Sequence, residues 1–219
     1  MTDIFNNIYN NKNWGYANGE TLSGDGSTID VNKYRIKFLA NFINNKNITN
    51  IYDICGDCNW QHKILDLVNN KNIKYFGFDI SDVALNLARE KNKNRKNMEF
   101  SKTPINLSEY IFQFIENNDT SLIIIKEVIQ HLPLELGMQM LKNIKKSGFK
   151  YIAITNHDKV QHNVSINYNT NIGGFYPNNM FLEPFNFVNP IDDVNDIIPS
   201  ALSAGYGNLI IFDIQEQNI

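Results

Sequence analysis

The stretch Ile51-Tyr-Asp-Ile-Cys-Gly-Asp-Cys-Asn-Trp-Gln61 decides the fold, because an apolar strand runs into a turn of small residues and an amphipathic segment follows. A second apolar strand, residues 74–79, ends on Asp79, which lies 26 positions after Asp53. In a dinucleotide-type fold, the acid that meets a ribose follows the first strand at a spacing of about 20 residues. The sequence therefore predicts two strand ends that face one nucleotide-type ligand.

The segment from residue 48 to residue 156 alternates short apolar runs with longer amphipathic runs, which is typical of parallel strands joined by crossover helices. We predict an α/β fold, a doubly wound, Rossmann-like and mostly parallel sheet with an antiparallel edge strand. The predicted strands are residues 50–55, 74–79, 98–102, 121–126, 150–156 and 208–214. The predicted helices are residues 31–42, with Tyr34, Phe38, Leu39 and Phe42 inward, and residues 60–68, 81–91 and 134–147.

The length of 219 residues favours a single domain. We divide it into an N-terminal cap segment and helix (1–47), a nucleotide-binding core (48–156) and a loop-rich lid with the final strand (157–219). The lid is rich in Asn, Pro and aromatic residues and has little periodicity. Loops of this size in a compact domain are usually functional, or else they contain elements that the sequence does not reveal.

Composition limits the partners that the chain is expected to have. The net charge is −3, and acidic and basic residues are interspersed, so the sequence predicts neither nucleic acid nor a membrane surface as a partner. The longest apolar runs have the length of a strand, and the first residues lack the pattern of a signal peptide. We therefore expect a soluble, cytoplasmic protein that acts on a small-molecule or carbohydrate partner.

Two cysteines, Cys55 and Cys58, have the spacing of a redox pair or of half a metal site. A zinc site would need a second pair of ligands, and the nearest histidine, His62, stands alone in the sequence. We therefore interpret both cysteines as structural.

The turn after the first strand contains one glycine, Gly56, followed by Asp57, Asn59 and the bulky Trp60. A pyrophosphate needs repeated close approach of the backbone, and an acidic turn repels phosphate. The turn suits a ligand that carries an ammonium group and a ribose without phosphate. S-adenosylmethionine is such a ligand, and S-adenosylhomocysteine is what remains after its methyl group has left.

Several motifs resemble those of the class I S-adenosylmethionine-dependent methyltransferases. They are residues 53–57 as a reduced first motif, residues 78–80 as the second and residues 122–132 as the fourth. The chain is more similar still to a poorly characterised branch with a Cys-Gly-Asp-x-Asn-Trp first motif. The matching residues are Ser23-Gly-Asp-Gly-Ser27, Arg35, Cys55-Gly-Asp-Cys-Asn-Trp60, Gln130-His-Leu132 and Pro184-Phe-Asn186, which span nearly the whole chain.

The resemblance implies a set of cofactor-binding residues. Asp79 would accept hydrogen bonds from the ribose hydroxyls, and Ile80 would pack on the adenine. Gly56 and Asp57 would surround the methionine moiety, and Arg35 would pair with its carboxylate. The remaining positions of the implied set are Asp53, Trp60, Asn106 and Lys126.

Two positions in this set depart from the pattern. Lys126-Glu127 stands where the branch has Arg-Asp, and residues 103–106 contain no acid where many relatives hold the adenine amine. Asn106 would take that role. For Trp60, simple packing at a helix start is an equal alternative to ligand contact.

The catalytic candidates are His131 and Glu127, which follow the fourth strand. A histidine can take a hydroxyl proton near neutral pH, although His131 can equally cap the turn at Pro133. Glu127, His157 and Asp158 lie at adjacent strand ends and are open to two interpretations, a Mg²⁺ site or a polar rim. We expect no metal.

The favoured function is transfer of a methyl group to an oxygen, on a sugar, nucleotide sugar or glycan. The choice of a sugar follows from the aromatic residues near both ends and from analogy. The alternatives are a binding or scaffold protein that has lost catalysis, N-methylation of a small molecule, and an NAD-dependent enzyme.

Overall fold

The computed structural model describes residues 1–16, 19–54, 56–103, 118–158, 164–194 and 207–219. The strands are β1 (Asn50–Ile54), β2 (Lys74–Asp79), β3 (Met98–Lys102), β4 (Ser121–Ile125), β5 (Tyr151–Asn156), β6 (Asp192–Val194) and β7 (Asn208–Asp213). The helices are α1 (Thr2–Asn10), α2 (Ile29–Asn45), α3 (His62–Leu67), α4 (Asp82–Lys91) and α5 (Leu134–Lys146).

The strands form a seven-stranded sheet in the order β3-β2-β1-β4-β5-β7-β6. β1 pairs with β2, and β2 with β3, in parallel. β7 pairs antiparallel with both β5 and β6. The predicted fold class, a mostly parallel α/β sheet with an antiparallel edge, is confirmed.

The chain divides into two compact units, Met1–Pro104 with Thr120–Leu122, and Ile105–Asp119 with Ile123–Ile219. In the first unit, α2 and α4 begin at side-chain caps. Thr28 accepts a hydrogen bond from the backbone of Val31, and Ser81 accepts one from Ala84. These caps satisfy N–H groups that a helix start leaves unpaired.

The predicted buried face of α2 is confirmed at Leu39 and Phe42 and wrong at Tyr34. Tyr34 was expected inward and is 47% exposed, whereas the neighbouring Arg35 and Ile36 are buried. The true stripe follows the helical period from Asn32 through Ile36 and Leu39 to Ile43. A hydrophobicity pattern could not place a buried arginine in that stripe.

The first ten residues also differ from the prediction, which contained no helix before residue 31. α1 buries Phe5, Ile8 and Tyr9, and the Phe5 and Tyr9 rings pack edge-on against Trp14. These apolar residues are spaced for one helical face, but they are embedded among asparagines, which are poor helix formers.

β4, of which Ile123–Ile125 belong to the second unit, and β5 are buried along their whole length. α5 ends at Lys146, and Gly148 follows with a φ of +84°. Residues 164–191 form no regular element, but they bury Met180, Phe185 and Phe187. This irregular segment therefore contributes side chains to the buried core.

Of the helices that lie in the described ranges, none combines the length and the apolar character needed to cross a bilayer.

Candidate functional site

The ends of β1 and β2 bring Gly56 and Asp79 together in the first unit. The backbone N–H groups of Gly56, Ile80 and Ser81 donate to the Asp79 carboxylate, and Ser81 does so at 2.7 Å. Gly56 has a φ of +54°, and a Cβ at this position would lie 2.8 Å from the Ser23 Oγ. The turn therefore requires glycine at this position.

Burial raises the pKa of Asp79 from 3.8 to about 6. The three backbone N–H groups lower this pKa, and the negative charge of Asp57 adds to the rise. Both Asp79 and Ile80 remain half-buried, so they are accessible from outside. A strongly perturbed carboxyl at a strand end is typical of a ligand site.

The Asp57 carboxylate is hydrogen-bonded by other groups of the protein. It accepts hydrogen bonds from the Thr21 hydroxyl at 2.9 Å, the Leu22 backbone N–H at 3.1 Å and the Ser23 hydroxyl at 3.0 Å. The Lys91 ammonium lies 2.7 Å from its Oδ2. Asp57 is 1% exposed. Its predicted contact with the cofactor stays a prediction, and the observed role is structural.

Three further predicted residues are buried in the first unit. Asp53 accepts a hydrogen bond from the Tyr75 hydroxyl at 2.7 Å. Arg35 donates to the Asn32 side chain at 3.2 Å. Trp60 is 2% exposed, which agrees with its alternative interpretation as a packing residue. Their roles in cofactor binding stay predictions.

Of the two cysteines, Cys58 lies among the described residues. Cys58 is buried with a φ of +49°, and its thiol donates to the Tyr75 hydroxyl at 3.4 Å. Cys55 and Asn106 lie outside the described residues. Cys58 thus contacts the same tyrosine that holds Asp53.

In the second unit, Glu127 follows β4 in a left-handed conformation with a φ of +55°. Its backbone N–H donates to the Thr155 hydroxyl at 2.8 Å. Its carboxylate accepts hydrogen bonds from the Gln130 side chain and from the Gly207 backbone, the latter at 3.3 Å. A non-glycine residue in this conformation is unusual, and such residues cluster at functional sites.

His157 is buried, and its Nε2 lies 3.9 Å from the Glu127 carboxylate. Its Nδ1 lies 3.2 Å from the Asn178 backbone nitrogen and 3.3 Å from the Asn178 carbonyl oxygen. Asp158, the third residue of the suggested Mg²⁺ set, accepts from the Asn208 side chain at 3.1 Å. Within the described ranges, no three His, Cys, Asp or Glu residues are grouped to hold a metal.

His131 is held by a loop of the second unit. Its Nδ1 lies 2.6 Å from the Gly174 carbonyl oxygen, and its own carbonyl accepts from the Gly173 N–H at 2.9 Å. The Phe175 ring lies 5.7 Å from the His131 ring and 6.2 Å from the His157 ring, and Phe175 is 53% exposed. An exposed aromatic ring thus stands beside both histidines.

Lys126, predicted to contact the cofactor, directly follows β4 and is 8% exposed. Sequence patterns predicted no role for Lys91 or Thr21, whereas Phe175 is one of the aromatic residues near the chain ends for which they predicted stacking on a sugar. Thr21 and Phe175 lie in segments without periodicity, and Lys91 is the last residue of an ordinary amphipathic helix. Their positions depend on contacts between distant parts of the chain.

Solved structures share this fold. Magnesium protoporphyrin IX methyltransferase from Synechocystis PCC 6803, solved with bound S-adenosylmethionine, matches with a TM-score of 0.60 and 13% identity over 96% of this chain and 92% of that one. A Thermobifida fusca YX protein that is assigned as a methyltransferase matches with a TM-score of 0.58 and 13% identity over 83% and 79% of the two chains.

An O-methyltransferase family protein from Burkholderia thailandensis gives a TM-score of 0.57 and 12% identity over 84% of this chain and 56% of that one. The present chain therefore spans little more than half of that protein. No protein-family model matches the sequence, and no curated protein matches it either. The chain has the fold of the S-adenosylmethionine-dependent methyltransferases, and at these identities the likeness concerns the fold.

Proposed function

We propose that this protein is an S-adenosylmethionine-dependent methyltransferase that acts on a hydroxyl oxygen. One observation carries the proposal: Asp79, a half-buried carboxyl with its pKa raised to about 6, ends β2 beside the left-handed Gly56 turn. In an α/β sheet of this class, ligands bind outside the carboxyl ends of the strands.

The residues present fit the cofactor. A ribose offers hydroxyl donors, and the Asp79 carboxylate, with three backbone N–H groups on its roughly four lone-pair sites, keeps a site to accept one. Because Gly56 has no side chain, the turn packs directly against the Ser23 and Tyr9 hydroxyls, which fill the space that a Cβ would take. The absence of a glycine-rich loop favours a ligand without phosphate. Arg35, Ile80, Asn106 and Lys126 complete the proposed set.

S-adenosylmethionine, when bound, supplies a sulfonium methyl group. The protein has to hold the acceptor oxygen in line at about 3 to 3.5 Å, exclude water and remove one proton. His131 would take that proton at Nε2, because its Nδ1 hydrogen is committed to Gly174. The negative charge of Glu127 would stabilise the protonated imidazole. This charge acts to raise the pKa of His131, against the larger lowering that burial causes.

A sugar, nucleotide sugar or glycan is the proposed acceptor. The support is an aromatic surface in the second unit. Phe175 and Tyr168 are each 53% exposed, and the Tyr168 ring lies 5.0 Å from the Tyr176 ring. Exposed rings of this kind stack on the apolar face of a sugar.

The test has two stages. Calorimetry with S-adenosylhomocysteine should give a single site, and ligand at 100 times the dissociation constant should stabilise the fold by about 2.7 kcal/mol. Methyl transfer from isotope-labelled S-adenosylmethionine should then be measured on a panel of nucleotide sugars, with primary amines as the comparison set. Label in the sugars supports the O-methyltransferase, whereas label in the amines alone would move the proposal to N-methylation.

The second candidate is a scaffold protein that keeps the fold without catalysis. The observation in its favour is that the Asp57 carboxylate, part of the first motif, is filled by the chain's own groups. A scaffold should show no stabilisation by S-adenosylhomocysteine or S-adenosylmethionine. The same measurement with NAD tests a dinucleotide enzyme.

A further inference from the structure

Residues 19–28, here called the N-terminal strap, are fastened to the turn that contains Gly56 and Asp57. Three consecutive strap residues, Thr21, Leu22 and Ser23, donate hydrogen bonds to the Asp57 carboxylate at distances between 2.9 and 3.1 Å. The carboxylate is 1% exposed. The strap therefore surrounds the buried negative charge of Asp57, which directly follows Gly56 in the predicted cofactor turn.

Lys91 completes this arrangement from the end of α4. Its ammonium lies 2.7 Å from the Asp57 Oδ2, 2.7 Å from the Glu20 carbonyl oxygen and 3.1 Å from the Asn59 side-chain oxygen. An ammonium group has three hydrogens to donate, and three acceptors meet it here. One side chain thus joins the strap, the turn and the helix that follows Asp79.

The strap also contacts the glycine directly. The Ser23 Oγ accepts from the Asp57 backbone N–H at 3.2 Å and lies 2.8 Å from the Tyr9 hydroxyl. A Cβ on Gly56 would come within 2.8 Å of this Oγ and 2.9 Å of that hydroxyl. Any movement of the strap therefore changes what surrounds Gly56.

We infer that Lys91 and Asp57 are positioning residues, which lock the strap onto the Gly56 turn and so set the shape of the cofactor site. The inference rests on the proposed function. Neither residue needs to touch the cofactor. If the lock is removed, the strap and turn must be ordered when the ligand binds, and that ordering weakens affinity.

The principal variant is Lys91→Met, which keeps most of the side-chain stem and removes the ammonium. Asp57→Asn is the second variant and keeps the size of the side chain. Lys93→Met is the matched control, because Lys93 lies two positions further on and pairs on the surface with Glu90. Each protein is compared with the full wild-type chain.

Two measurements are made on every protein. Amide hydrogen exchange without ligand follows Leu22, whose N–H bonds to Asp57, with Leu39 in the interior of α2 as the internal reference. Calorimetry gives the affinity for S-adenosylhomocysteine. We expect Lys91→Met to accelerate exchange at Leu22 at least tenfold, to leave Leu39 unchanged and to weaken binding at least tenfold. Lys93→Met should change neither quantity.

If Lys91→Met leaves the exchange rate of the Leu22 amide at the wild-type value, then Lys91 does not hold the strap on the turn and the inference is wrong. Faster exchange with unchanged affinity would overturn the positioning role while leaving the proposed function in place. If the wild-type chain binds neither S-adenosylhomocysteine nor S-adenosylmethionine, the proposed function itself fails, and this inference fails with it. Equal acceleration at Leu22 and Leu39 would identify Lys91 as a general stability residue and would also overturn the inference.

Discussion

The Nδ1 atom of His131 lies 2.6 Å from the carbonyl oxygen of Gly174. A carbonyl oxygen can only accept, so Nδ1 carries the hydrogen, and the lone pair of the neutral ring is on Nε2. Burial lowers the pKa of His131, and the positive charge of Lys126 acts in the same direction. A ring that is neutral and fixed in one tautomer is suited to act as a general base.

We expect His131→Ala and His131→Gln to bind S-adenosylmethionine normally and to turn over poorly. Loss of a general base typically costs about 100- to 10,000-fold in rate. Single-turnover methyl transfer to the true acceptor measures the rate, and calorimetry measures cofactor affinity.

His62→Gln provides the matched control, since it removes a histidine of the first unit and should keep turnover near the wild-type rate. Near-normal turnover in either His131 variant would make His131 a structural residue that holds the Gly174 loop. The next candidates for the base would then be Glu127 and the pair His157 and Asp158.

The rate of methyl transfer should also depend on pH in a defined direction. The base acts in its unprotonated form, and burial lowers the pKa of His131 below its ordinary 6.5. With saturating cofactor, the rate should therefore stay high as pH falls through 6.5 and decline only below it. A pH–rate profile measures this, and a midpoint above 6.5 would show that another group limits the reaction.

β4 could be predicted because a buried parallel strand is a continuous apolar run. Leu122–Ile125 is such a run, and the observed strand covers it. β6 escaped prediction, because Asp192–Val194 is short and mostly exposed. This segment is a strand because it pairs antiparallel with β7, and the sequence of the segment gives no signal for that pairing.

The candidate site likewise contains residues that the sequence predicted and contacts that it did not. The ends of β1 and β2 identified Gly56 and Asp79, because parallel strands present their carboxyl ends at one edge. The partners of Asp57 could not be foreseen, since Thr21 lies 36 positions before it and Lys91 lies 34 positions after it. A buried charge needs partners, but which residues supply them can be identified only once the fold is known.

The cysteines provide a further prediction. Replacing Cys55 and Cys58 together by Ala should leave methyl transfer within a few fold of wild type, because the Cys58 thiol makes one weak hydrogen bond to Tyr75. Some loss of stability is expected, since Cys58 is fully buried. Elemental analysis of the purified protein is the independent measurement, and stoichiometric zinc would contradict a structural role.

Cofactor affinity should depend on Asp79. Hydrogen bonds to a charged group contribute about 1.5 to 3 kcal/mol each, so Asp79→Ala should weaken binding of S-adenosylmethionine at least tenfold without unfolding the chain. The control is Asp82→Ala, because Asp82 pairs with Lys102 on the surface. Unchanged affinity by calorimetry would remove Asp79 from the site.

Asp79→Asn should separate affinity from stability. The folded pKa of about 6 lies above the ordinary 3.8, so the folded chain holds this proton more tightly than the unfolded chain does. The free energy of unfolding therefore falls as pH rises from 3.8 to about 6, and above that range the ionised carboxylate costs on the order of 3 kcal/mol before solvent screening.

The amide carries no charge, so Asp79→Asn should be more stable than wild type in urea at neutral pH, and the difference should shrink as pH falls below 6. It should nevertheless bind S-adenosylhomocysteine more weakly, because one acceptor oxygen has become a donor. A variant that is less stable than wild type at neutral pH would show that the carboxylate stabilises its turn through the three backbone N–H groups more than burial destabilises it.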